Sequence, residues 1–278
     1  MLHLDEWKVF RFSGSDAKKF LHGLTTQEIN NLSNQEARYG LFLTPQGKYL
    51  CDFFVFSVAE NLFLEIHQKH QDSLLKKLSL HRLRADVAWH EVPEFSVFAS
   101  FSAPKNTDNF CYQDPRAAAL GFRIYAKESI SDDSAAAENL RLEYKQILIK
   151  NFIADGVDDM VSGEDFPLDF AMDSFAIDFK KGCYVGQEVT ARSFYRAVRK
   201  KSLLYVQGRA PLAEKDAILF NQNGEKSARM LSSAGEFGLI IFRGEKTEIP
   251  EKLYFIDANQ NHVELAVKVP PNHQRPEA

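Results

Sequence analysis

Apolar and polar positions alternate from Trp7 to Phe12 and predict a strand. The turn residues Ser13-Gly14-Ser15-Asp16 follow, with Asp16 placed as an N-cap. Residues 17–24 then read as a short helix with Ala17, Phe20, Leu21 and Leu24 on one face. Residues 38–43 and 48–58 read as the two strands of a hairpin around Thr44-Pro45-Gln46-Gly47. A strand at 61–67, an amphipathic helix at 69–80 with Leu74, Leu75 and Leu78 inward, and a strand at 81–87 complete the first αβ unit. A second opens at 95–101, passes a polar, alanine-rich linker at 131–138, and reaches a helix at 140–152. From Lys200 the rhythm changes to short strands at 202–207, 217–220, 228–232, 237–242, 253–256 and 263–269, with turn signals such as Asn223-Gly224. That spacing predicts a small β-barrel. Residues 270–278 read as a disordered tail.

The returning strand of the hairpin carries the first chemical signal. By alternation Leu50, Asp52, Phe54 and Phe56 share one face, and Tyr49, Cys51, Phe53 and Val55 the other. Asp52 therefore lies among large apolar side chains. A carboxylate there needs a partner or carries a raised pKa, which marks a candidate site. The competing reading is an acid at a strand edge paired with an arginine.

Composition bounds the picture. The 278 residues suffice for two domains or more, and 45% hydrophobic with 26% charged residues is ordinary for a globular chain. A net charge of -4 argues against broad nucleic-acid binding. Three widely spaced cysteines, Cys51, Cys111 and Cys183, suit neither a zinc site nor a disulfide framework and point to a reducing compartment. The first ten residues have no signal-peptide pattern and no run is long enough to cross a membrane, so the expectation is a cytoplasmic protein.

The second signal is Lys180-Lys181-Gly182-Cys183-Tyr184-Val185-Gly186-Gln187-Glu188. Thiolates form where cations or a helix N-terminus lie close. Two lysines precede Cys183, and residues 187–192 read as a helical turn with Glu188 and Arg192 four apart. Two readings stand: a reactive or ligand-binding thiol, and a small buried residue beside surface lysines.

The string from Lys181 to Glu188 resembles the signature of the YgfZ family of folate-binding proteins, which includes mitochondrial factors of late iron–sulfur cluster maturation and is related to the glycine cleavage T-protein, an aminomethyltransferase. Residues 13–26, Asp114-Pro115-Arg116 and Gly121-Phe122-Arg123 are similar to further family segments. The resemblance implies an α+β fold: a folate-binding, T-protein-like region over 1–200 with two αβ lobes (about 1–92 with 140–200, and 93–139), and a barrel over 201–270 arranged with them as a ring. It implies tetrahydrofolate, or a one-carbon derivative, as ligand. Asp52 falls on the essential aspartate of the T-protein and Glu143 on its pterin-holding glutamate. Around the thiol, Gly182, Cys183, Tyr184, Gln187 and Glu188 would line the folate site, and Lys181 and Arg192 would meet the folate's anionic tail. Cys183 and Asp52 would carry any chemistry.

The function so implied is a tetrahydrofolate-binding accessory factor that assembles or repairs four-iron clusters, with assembly proteins or client enzymes as partners. The alternatives are a folate-dependent aminomethyltransferase and a scaffold that has lost folate binding. A tRNA-linked role is also associated with the family. The chain departs from the family pattern at Phe152-Ile153-Ala154-Asp155-Gly156, at Asp169 and at Ala197, around the expected folate cleft.

Overall fold

The computed structural model describes residues 1–59, 61–104, 109–127, 134–196, 200–209 and 211–270. Strands β1 (Leu2–His3) and β2 (Trp7–Ser13) precede helix α1 (Ala17–Leu24), followed by β3 (Ala37–Leu43), β4 (Tyr49–Val58), β5 (Asn61–His67) and helix α2 (Gln68–Arg82). Next come β6 (Ala88–Glu91), β7 (Ser96–Ser100), β8 (Phe110–Gln113), β9 (Phe122–Ala126), and helices α3 (Ser134–Lys150) and α4 (Gln187–Arg196). Six strands end the chain: β10 (Lys201–Gln207), β11 (Ile218–Phe220), β12 (Lys226–Ala234), β13 (Phe237–Arg243), β14 (Lys252–Ile256) and β15 (His262–Lys268). The α+β class and the closed barrel match expectation. Ala197 and residues 271–278 of the expected tail lie outside the described residues.

Contacts divide the chain into two compact units. The first holds Met1–Arg141, Met160–Leu168 and Met172–Arg196; the second holds Leu142–Asp159, Asp169–Ala171 and Ala197–Ala278. Residues 142–159, assigned from sequence to the region ending at 200, thus cluster with the barrel. The described part of the supposed 131–138 linker, from Ser134, is the start of α3.

In the first unit, β3-β4-β5-β2-β6 form one antiparallel sheet and β1-β7-β9-β8 another. One face of the five-stranded sheet buries Phe10, Phe12, Phe53, Val55, Leu64 and Ile66 beneath α1 and α2, which contribute Ala17, Leu21, Leu24, Leu74 and Leu78. On the other face Phe56 stacks on Tyr125 of the four-stranded sheet, with ring centres 4.0 Å apart. Buried charge joins this aromatic layer. The Arg123 guanidinium is paired with Glu65, whose other oxygen accepts from the Tyr125 hydroxyl at 2.7 Å. Arg123 and Arg116 both lie over the Phe54 ring, at 4.1 and 4.9 Å, and Arg116 forks onto Asp114 through Nε (3.0 Å) and Nη2 (2.8 Å).

A bulge corrects the alternation read along β4. Phe42 pairs with Cys51 but Leu43 pairs with Tyr49, so one residue of β4 is extra. The bulge turns Tyr49 toward Asp52 and sends Leu50 to the helix-covered core with Cys51 and Phe53.

The segment expected as a strand at 81–87 is instead the last turn of α2 and a tight turn. Ala85 N donates to Arg82 O at 2.8 Å, and Leu83 takes φ 45° and ψ -109° at the turn's first central position.

In the second unit the barrel closes in the order β10-β13-β12-β11-β14-β15, with β15 pairing back to β10. Its interior is Leu204, Leu219, Met230, Ile240, Leu253 and Leu265, all within 1% of full burial.

Candidate functional site

Cys183 is exposed, which removes the reading of a buried structural thiol; Cys51, by contrast, is buried and burial pushes its thiol pKa far up. The segment that carries Cys183 is fastened at several points. Thr26, just past α1, accepts at its carbonyl from Asp178 N (2.9 Å), while its hydroxyl donates to Ala176 O (2.6 Å) and accepts from Leu41 N (2.8 Å). Residues 176–178 are thereby tied both to the end of α1 and to β3.

Lys181 is the next fastener, and here the expectation of a rim cation is corrected. The residue is 6% exposed. Its Nζ donates to the carbonyls of His22 and Thr25 (2.6 Å to the latter), where α1 ends with unsatisfied carbonyls and the negative end of its dipole. The ammonium also lies 4.9 Å from the centre of the Tyr184 ring. Burial pulls the Lys181 pKa down to about 8, against the opposing pull of Glu28 and Asp178. Buried and with two of its three protons given to carbonyls at the end of α1, this side chain is not presented at the surface as a rim cation. Lys180 is the exposed lysine of the pair.

On the far side of the thiol, Val185 N donates to Gly23 O at 3.3 Å and Gly186 packs on the hairpin turn. Gly186 has φ 88°, and a Cβ there would stand 2.6 Å from Thr44 O and 3.2 Å from the Gly47 Cα. No side chain fits that approach. Gly182 has no such demand: its Cβ would meet only His22 Nε2, at 3.4 Å. Tyr184 is buried, its hydroxyl has no partner among the described residues, and burial followed by Asp178 raises its pKa to about 12. The helix expected after the signature is α4, and Glu188 and Arg192 form the expected i,i+4 pair at 2.7 Å, both exposed. Gln187 opens α4, its N donating to Tyr184 O at 3.2 Å. Phe179 stacks on Phe194 of that helix with ring centres 4.0 Å apart. A shallow groove of about 490 Å³ runs beside this segment, lined by Gln27, Arg38, Phe175, Asp178, Phe179 and Lys180. Neither Cys183 nor Asp52 lines it.

Asp52 is 2% exposed and its partners are phenols rather than an arginine. Tyr49 donates to Oδ1 at 2.6 Å and Tyr39 to Oδ2 at 2.9 Å. His70, on α2, presents its ring edge to Tyr49 at 6.0 Å; its Nε2 is buried with no partner among the described residues, and burial lowers its pKa against the pull of Asp52. Tyr39, Tyr49, His70 and Thr26 all escaped sequence reasoning. Only the Thr25-Thr26 pair closing α1 gave any hint, by ending the helix with two hydroxyls. Glu143 is exposed on α3 and belongs to the second unit, whereas Cys183 and Asp52 belong to the first.

Comparison with known proteins adds the following. Residues 2–100 match the GCVT N-terminal domain. The chain is 29% identical to the human mitochondrial iron–sulfur cluster assembly factor IBA57, over 96% of this chain and 83% of the human one. It is 30% identical to the mitochondrial IBA57 homologue of Mycosarcoma maydis, over 74% of this chain and 57% of that protein. The structure superposes on the glycine cleavage system aminomethyltransferase T of Bartonella henselae with a TM-score of 0.75, covering all of this chain and 87% of the other at 15% identity, a likeness of fold. These findings bear out the family resemblance and the T-protein-like fold. They overturn the cytoplasmic reading, since the relatives are mitochondrial proteins by name.

Proposed function

We propose that this chain, a relative of the mitochondrial iron–sulfur cluster assembly factors built on the T-protein fold, is a tetrahydrofolate-binding assembly factor that uses Cys183 as a transient ligand for iron. The observation that carries the reading is an exposed thiol on a segment held rigidly from both sides, by Lys181 and Thr26 at α1 and by Gly186 at the hairpin turn. Preorganising a ligand in this way lowers the entropy lost when it binds. Thiolate is the natural ligand for iron–sulfur clusters. Among the described residues no three His, Cys, Asp or Glu side chains come together as a metal site. Cys183 would therefore supply one ligand to a cluster whose remaining ligands come from an assembly protein or client enzyme.

The folate half of the proposal rests on Asp52. A carboxylate has about four lone-pair positions, and the two phenols occupy one on each oxygen. The remaining positions are acceptors of the kind that the ring N–H donors of a reduced pterin require, and a pterin would have to open the packing around this buried side chain to reach them. Lys181 does not serve the anionic tail, and Arg192 is paired with Glu188. Tetrahydrofolate, when bound, would supply one-carbon chemistry; the chain would supply the acceptor at Asp52, which Tyr39 and Tyr49 hold in place.

The test has two arms. Calorimetric titration of the full chain with tetrahydrofolate should show saturable binding that Asp52→Asn weakens at least tenfold. In cells lacking the native protein, Cys183→Ala should leave four-iron enzymes underactive. If only Asp52→Asn fails to complement, the aminomethyltransferase reading replaces this one.

A further inference from the structure

The carboxyl end of α2 carries three features that the thiol and the Asp52 site do not use. Leu83 and Leu80 are the two most exposed large apolar side chains among the described residues, at 89% and 69%. Leu83 also holds the first central position of a type II′ turn, Arg82 to Ala85, with φ 45°. That position belongs to glycine, because a Cβ there crowds the backbone. Finally, residues 68–85 carry five lysines and arginines against one aspartate, in a chain whose net charge is -4.

The turn is held from behind, so it is presented rather than loose. Asp86 accepts from Ser15 N (3.0 Å) and Ser15 Oγ (2.9 Å), and Asp86 N donates to Asp16 Oδ2 (2.8 Å). These bonds bring the start of α1, with exposed Lys18 and Lys19, beside the turn. Asp86 takes its hydrogen bonds from Ser15, which lowers its pKa with a smaller contribution from the Arg82 charge, so the guanidinium groups of Arg82 and Arg84 are not hydrogen-bonded to it.

We propose that the knuckle Leu80–Arg84 is a docking site for an acidic segment of a partner protein that receives the two leucines in an apolar recess and sets carboxylates against Arg82, Arg84, Lys18 and Lys19. Three arguments select this occupant. The charge of the patch is opposite in sign to that of the chain as a whole, so its natural complement is a local cluster of carboxylates. The overall negative charge repels extended polyanions at long range and disfavours nucleic acid. Residues 80–84 hold no Phe, Tyr or Trp to form a broad stacking platform, yet they expose two leucines, which suit a protein recess. Strain and apolar exposure at Leu83 gain nothing within the fold; both find their use at an interface. The inference is independent of Cys183 and of folate.

The decisive variant is Leu83→Gly, which relieves the turn while deleting the anchor. The probe is a fluorescein-labelled 18-residue helical peptide with leucines at i, i+3 and i+4 spacing and glutamates elsewhere, titrated with the full chain at 50 and 300 mM NaCl. A peptide with serine in place of every leucine serves as control. Saturable binding is expected, at least fivefold weaker for the serine peptide, for Leu83→Gly and for Arg82→Glu/Arg84→Glu, and weaker at 300 mM salt. Leu83→Gly should meanwhile melt at a higher temperature than the parent and bind tetrahydrofolate unchanged. The proposal is overturned if the probe fails to bind, if Leu83→Gly binds it as well as the parent, or if both peptides bind alike. It is equally overturned if 30:70 phosphatidylglycerol–phosphatidylcholine vesicles, or a 20-nucleotide single-stranded RNA, bind this knuckle more tightly than the leucine peptide does.

Discussion

Tyr49 donates its hydroxyl proton to Asp52 at 2.6 Å although the two residues are three apart on one strand, an odd spacing that a regular strand would send to opposite faces. The bulge opposite Leu43 makes the contact. Removing either phenol leaves a buried carboxylate oxygen short of a donor. Tyr49→Phe and Tyr39→Phe are each expected to cost about 1–3 kcal/mol in urea unfolding. Each loss should shrink when the substitution is made on an Asp52→Asn background, the signature of a direct pair in a double-mutant cycle.

The two glycines of the thiol segment should respond in opposite ways. Gly186→Ala places a Cβ against Thr44 O at a φ of 88°, and a loss of roughly 2 kcal/mol or more follows from strain and clash together. Gly182→Ala meets only the edge of His22 and should stay within about 0.5 kcal/mol of the parent. Thermal melts of the two variants check the contrast; equal losses would mean that the hairpin turn does not hold the segment.

Asp159 is buried in the second unit. Its Oδ2 accepts from Asp155 N (2.8 Å) and Ser232 Oγ (3.3 Å), and its Oδ1 has no partner among the described residues. Burial, with Asp155 next in weight, raises its pKa to about 7. The folded state then holds this proton more tightly than the unfolded state does. Its contribution to stability is complete below about pH 4 and is lost as pH rises to 7, by up to roughly 4 kcal/mol. Asp159→Asn should therefore gain on the parent in urea midpoint at pH 8 and lose that advantage at pH 4.

Arg123 and Glu65 lie in the aromatic layer between the two sheets, nearly without exposure. Arg123→Met strands the Glu65 carboxylate beside Phe54 and Tyr125 and should cost about 3–5 kcal/mol by chemical denaturation. Adding Glu65→Leu should restore a large part of that loss, because no uncompensated charge is then left in the layer.

Much of this fold is legible in the sequence, where one physical rule dominates. The barrel strands show themselves because Asn223-Gly224 and similar turns punctuate short apolar runs, and every expected barrel strand overlaps an observed one. Helix α1 shows itself through Ala17, Leu21 and Leu24. Legibility fails where tertiary structure decides. Nothing local marks Leu50 as the extra residue of a bulge. Alternation at 81–87 suggested a strand, yet the helix continues to Arg82 and Leu83 adopts a conformation that its type resists. Lys181 looked like a surface cation because its partners, the carbonyls of His22 and Thr25, lie more than 150 positions away in the chain. The thiol was identifiable from its neighbours in sequence; its mooring was not.

Residues 142–159 leave one further mark on the molecule. Lys150 lies over Phe237 at 4.0 Å, Phe152 meets Tyr205 at 5.2 Å, and Lys215 reaches the Asp158 carbonyl. On the ribosome this stretch emerges with Tyr144, Leu148 and Ile153 bare, and the strands that will cover them have yet to be translated. A stop codon near residue 200 would therefore release a chain with an uncovered greasy helix, prone to clump or to be degraded, rather than a separable amino-terminal module.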